Sequence, residues 1–268
     1  MALLEMRVDL SKLIDTLATG SNEQIVEAAR EHLLSSELVG HVQNREIADV
    51  LLGRVGMVAA HGDTDGHIIT TLAAAAMLAR LLHTIPQPLD DQISLQQRAL
   101  PLFAQALLFA APAVRAAHNI QPEYPEPLFP SGLLQSGTTV NEKLHEAIYG
   151  NDALLTERLL FGLYGTGADY RTLQVRTYDG IATTFQNAGH PLMFAVRGYQ
   201  LLDTVEWGNR APNIIHWLAP ISLSSLRPTS RLGSRLFASI QLSPRIASSL
   251  FANACLLPRM PAPCHYRS

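Results

Sequence analysis

The sequence predicts an all-α fold, built of antiparallel helical hairpins in a bundle or repeat-like array, on three observations. Apolar residues return at spacings of three and four in one segment after another. Short stretches of capping residues, glycine and proline separate those segments. Strand-like alternation is scarce: LQVRTY, residues 173–178, is the one rival, and it too reads as helix.

Taken in order, Ser21-Asn22-Glu23-Gln24 has the form of a capping box, the serine oxygen accepting from the third helical amide while Gln24 reaches back. Helix follows to residue 35, with Ile25, Ala29 and Leu33 on one stripe. The next helix covers 44–60, where Ile47, Val50, Leu51, Val55 and Val58 repeat. HGDTDG, residues 61–66, parts it from a helix over 67–83, which Ile85-Pro86-Gln87-Pro88 stops. Residues 90–117 are helical again, with Pro101 and Pro112 as first-turn residues or kinks. PEYPEPLFPSG, residues 122–132, holds four prolines and predicts an extended connection. A second group comprises 139–149, 152–164, 169–186, 190–207 and a short 211–218. Together these give one domain over residues 1–220, in two halves divided by the Pro-rich stretch 119–137. In each half a helix runs into a polar loop, then Gly-His, then an apolar helix, which suggests a duplicated hairpin; alanine-rich helices imitate one another easily, so chance similarity stands beside that reading.

At 268 residues, 47% hydrophobic and 16% charged, the chain can bury a sizeable core. Cys255 and Cys264 are its two cysteines, so the body has neither a disulfide framework nor a thiolate metal cluster, and a reducing, cytoplasmic setting is expected. No uncharged apolar run reaches the roughly 18 residues of a membrane span; the nearest, 68–79, is short and alanine-rich, and the N-terminus lacks the apolar stretch of a secretion signal. Residues 1–220 carry all 23 acids and a charge near −9, whereas residues 221–268 have six arginines, ten serines and no Asp or Glu. Three readings of this tail compete: a weakly ordered appendage, a nucleic-acid or membrane contact, or translation in a shifted frame. The sharp break favours a segment foreign to the domain, and the absence of lysine and of an aromatic platform weighs against a nucleic-acid arm.

The chemistry concentrates in His61-Gly62-Asp63-Thr64-Asp65-Gly66-His67, two imidazoles and two carboxylates in seven residues. Iron and other first-row divalent metals take such nitrogen and oxygen ligands. His190, after Gly189 at the matching helix start, adds a third nitrogen if the halves face each other. The expected metal ligands are therefore His61, Asp63, Asp65, His67 and His190, with His67 and His190 as catalytic candidates. The bland reading is that Asp65 caps the following helix and Asp63 and Thr64 are turn residues. His216, beside Trp217 near the end of the domain, is a weaker candidate. There is no P-loop and no GxSxG, and Gly165 and Gly167 follow a helix where a dinucleotide fingerprint follows a strand.

Residues 189–220, GHPLMFAVRGYQLLDTVEWGNRAPNIIHWLAP, resemble a block of bacterial all-helical Rieske-associated proteins and, through His190-Pro191 followed by an apolar helix ending in an acid, are similar to the questin oxidase-like family. The residues that carry the resemblance are His190, Pro191, Phe194, Leu201, Leu202, Asp203, Trp207 and those from Ile214 to Pro220. It implies an all-helical fold and oxidation of an aromatic or polyketide-like small molecule. The chain has no Cys-x-His pair, so an iron–sulfur centre does not carry over. Two functions are thus in play: an oxidoreductase with histidines acting as metal ligands or as acid and base, and a helical scaffold or binding protein in which they are core or cap groups.

Overall fold

Capping chemistry sets where the helices begin. The computed structural model describes residues 10–34, 47–85, 94–133, 137–182, 189–205 and 207–222, all within one unit of the chain, Met1–Leu226. Among them are eleven helices and no strand: α1 (Ser11–Thr19), α2 (Asn22–Leu34), α3 (Ile47–Ala59), α4 (His67–Thr84), α5 (Leu95–Ala117), α6 (Pro130–Leu133), α7 (Val140–Tyr149), α8 (Ala153–Gly165), α9 (Tyr170–Ala182), α10 (His190–Leu202) and α11 (Trp207–Ser222). The all-α class is as the periodicity predicts. The Ser21–Gln24 capping box forms, its two bonds 3.3 and 2.7 Å long. Ser94 with Gln97 and Thr139 with Glu142 repeat it at α5 and α7, and Asp152 caps α8 through the Leu155 N–H at 2.9 Å.

The structure redraws some boundaries. Helix α1 has no counterpart in the sequence reading, because Lys12 and Asp15 break up a short segment whose only buried positions are Leu13 and Leu17, one turn apart. Helix α5 is continuous through Pro101 and Pro112. Each proline removes one helical N–H, and α1, α2, α3 and α4 all pack on this helix, so tertiary contact holds its line. Residues 96–117 of α5 are long and apolar enough to cross a membrane by length and composition, but half of that stretch is buried in the fold. Arg98 and Arg115 interrupt it, so no uncharged run of that length exists in the sequence. Helix α10 stops at Leu202, not at Trp207: the N–H groups of Thr204 and Val205 bond three residues back, to Leu201 and Leu202, and the chain turns. Trp207 instead opens α11, which runs past residue 220 to Ser222 and buries Ile221. The tail from 223 onward, with both cysteines, lies outside the described residues, as do residues 183–188.

The helices form two groups. One gathers around α5. In the other, α8 meets α7, α9 and α11, and α10 meets α9 and α11. The groups join where α4 packs against α10 and where α3 meets α10 and α11. Trp217 of α11, 2% exposed, and Tyr199 of α10, 1% exposed, are the largest side chains wholly enclosed.

Candidate acid–base site

The turn after α3 decides which members of the HGDTDG loop face inward. The N–H groups of Gly62 and Asp63 both bond the Ala59 carbonyl at 2.9 Å, coiling the chain tightly and turning His61 and Asp63 toward α11. Asp63 is 4% exposed. Its Oδ1 accepts from the Gly66 N–H at 3.0 Å, and its Oδ2 accepts from the Ile69 N–H at 2.9 Å and the Trp217 indole N–H at 3.2 Å. Burial pushes its carboxyl up to about 6, against the opposing pull of these donors. The two carboxylates thus share the open amides at the start of α4, Asp63 taking that of Ile69 along with the Gly66 N–H just before the helix. Asp65 stays at the surface and accepts from the His67 N–H and the His67 ring, both at 3.1 Å.

Gly66 and Gly189 match as the sequence suggests: they cap α4 and α10 with φ of 81° and 82°, a conformation that favours glycine. The His67 and His190 rings both meet Phe194, at centroid distances of 5.9 and 6.0 Å, and both residues are exposed. The two helix starts do lie on one patch, but the patch presents an aromatic ring between the histidines.

His61 keeps other company. Its Nε2 lies 2.9 Å from Asn213 Oδ1, which also accepts the Tyr124 hydroxyl at 2.9 Å. Because an amide oxygen only accepts, Nε2 carries the hydrogen and the lone pair sits on Nδ1, which is buried without a partner among the described residues. Burial holds the imidazole below its ordinary range, with the Asn213 bond opposing and His216 assisting. His216, one turn along α11 from Asn213, lies 5.7 Å from the His61 ring by centroids, and its Nδ1 donates to Glu157 Oε1 of α8 at 2.6 Å. Glu157 is 8% exposed, whereas the His216 side chain is 35% exposed. This is a carboxylate-oriented imidazole: the short bond fixes the Nδ1–H tautomer and leaves Nε2 as the basic nitrogen.

Tyr124 comes from the Pro-rich strap between α5 and α6. Its ring meets Phe161 at 5.3 Å, His216 edge-on at 5.6 Å and His61 at 6.5 Å. Burial, then the negative charge of Glu157, raises its phenol above the ordinary value and keeps it protonated. Past Tyr124 the strap is fastened to α8: the Leu128 N–H donates to the Arg158 carbonyl at 2.8 Å and Arg158 Nε donates to the Glu126 carbonyl at 2.9 Å. Gly162 makes this possible, since a Cβ there would collide with the Leu128 carbonyl.

The five expected metal ligands do not converge. Asp63 is saturated by three N–H groups, Asp65 pairs with His67, His61 bonds Asn213, and His67 and His190 flank Phe194. Among the described residues no three His, Cys, Asp or Glu side chains are placed to hold a metal ion. The donors do not fit an iron or other first-row centre, and no step is derived through one. The sequence singled out neither Glu157, Tyr124 nor Asn213, and it set His216 among the weaker candidates. Three of these four left a trace: Asn213 and His216 share one face of α11, and Glu157 is a lone acid in the apolar run ALLTERLLFGLYG. Tyr124 left none.

Comparison with models of known protein families, with curated proteins and with solved structures finds no match.

Proposed function

We propose that this protein is an enzyme that uses the Glu157–His216 pair for general acid–base chemistry on a small organic molecule, with oxidation of an aromatic or polyketide-like substrate as the reaction class that the resemblance of residues 189–220 implies: the pair takes the substrate proton and dioxygen, as oxidant, takes the electrons. The observation that carries the reading is the 2.6 Å bond from His216 Nδ1 to a nearly buried carboxylate, with the imidazole itself about one-third exposed. Among the described residues no serine, threonine or cysteine side chain bonds His216, so the base acts on substrate or water and does not activate a protein nucleophile. Tyr124 supplies a protonated phenol beside it, and Asn213 orients both Tyr124 and His61. The cytoplasmic setting belongs to the same proposal.

The test is a panel of hydroxylated aromatic compounds assayed for turnover with the parent, His216→Gln and Glu157→Gln. General acid–base groups contribute about 10²–10⁴-fold, so a loss of that size in both variants, with the melting temperature held, supports the proposal. Full activity in His216→Gln ends it. A scaffold role is the second reading, favoured by the outward row Met77, Leu78 and Leu81 on α4 and Ile85 just past its end, the last three 50–52% exposed. Leu78→Asp with Leu81→Asp would then change the association state in sedimentation and leave any turnover intact.

A further inference from the structure

The strap that delivers Tyr124 is held unevenly. Its N-terminal end leaves α5 through the Ile120 N–H to Ala117 carbonyl bond at 2.9 Å, and its C-terminal end is clamped on Arg158 through Glu126 and Leu128. Between these points, among the described residues, residues 121–125 make no backbone hydrogen bond, and Pro122 and Pro125 have no N–H to offer. One polar contact, the Tyr124 hydroxyl on Asn213 Oδ1, fastens the stretch to the body of the protein. Beneath it lie the His61 and His216 rings, and His61 Nδ1 is sealed from solvent with no donor among the described residues to meet it.

We propose that residues 121–125 are a lid over the two imidazoles, hinged at Ile120 and at the Arg158 clamp and latched by Tyr124 on Asn213. Closed, the lid sets the phenol beside His216 and shuts water from His61; open, it lets His61 Nδ1 find a donor from water or substrate, and so supplies the partner that the closed form denies it. The two prolines stiffen the stretch, so it moves as one piece about its ends. The inference rests on the acid–base reading for the lid's purpose; its geometry stands without that reading.

The probe is diethyl pyrocarbonate, which acylates neutral imidazole, with the modification of each histidine followed by mass spectrometry of its peptide. His67, whose side chain is 57% exposed, is the internal reference. In the parent, His61 should react far more slowly than His67. Tyr124→Phe keeps the ring and removes the latch, so His61 should react about two- to tenfold faster, the population change that one net hydrogen bond gives, while His67 and the amide exchange of α8 stay unchanged. Arg158→Ala, which removes the side-chain half of the clamp, should act in the same direction. Equal His61 rates in parent and Tyr124→Phe overturn the lid, and so does a rise that comes with faster exchange throughout α8, because that is general loosening. Turnover in His216→Gln tests the chemistry separately, so the two ideas fail independently.

Discussion

Replacing Asp63 by asparagine should change how stability depends on pH. The buried carboxyl titrates at about 6, against an ordinary value of 3.8. At about 1.4 kcal/mol for each pH unit, the folded protein loses about 3 kcal/mol when this group is ionised. The sign follows from linkage. A carboxyl whose folded value lies above its unfolded one binds its proton more tightly when folded, so the penalty is absent below pH 4, grows between pH 4 and 6, and is complete above. The substituted amide does not titrate. It also has one acceptor oxygen where Asp63 offers two: turned to take the Ile69 and Trp217 N–H groups, it leaves the Gly66 N–H facing the amide nitrogen, at about 1–3 kcal/mol for that orphaned donor. The variant should therefore be the less stable protein at pH 4, and the difference should move in its favour by about 2 kcal/mol between pH 4 and pH 7. Urea unfolding of parent and variant at half-unit pH steps measures this, since groups that titrate alike in both cancel from the difference. A gap that is flat across the range, or that widens with pH, refutes the account of Asp63 as a carboxylate ionised against its environment.

Other outcomes follow from single contacts. Gly162→Ala should lower stability by about 1–3 kcal/mol, because the new methyl meets the Leu128 carbonyl and must push the strap off α8; an unchanged melting curve would show that the strap does not rest there. Thr139→Ala removes the capping box of α7 and should cost about 1 kcal/mol, read by chemical denaturation.

Local chemistry wrote most of the fold into the sequence. Capping boxes need only four consecutive residues, so Ser21 and Gln24 announced α2 before any contact was known, and the stripe of Ile25, Ala29 and Leu33 named its buried face correctly. Gly66 and Gly189 were visible as paired helix starts for the same reason: a left-handed cap is a property of one residue. What failed were inferences that need distance. Pro101 and Pro112 read as first-turn residues or kinks because a proline's cost is local, whereas the packing of four helices that carries α5 on through both is not. Asp63 and Asp65 are alike in sequence, and only the position of Trp217, 154 residues further on, decides that the first is buried and the second is not. The site itself joins α3, α8, α11 and the strap, so no spacing rule could assemble it. His61 entered the sequence reading for a metal site that its neighbours do not complete; Tyr124, in a stretch read only as a connection, was brought to the imidazoles by the bare backbone of Gly162. Periodicity records which face of a helix is apolar, but which polar groups share that buried ground is settled when the helices pack.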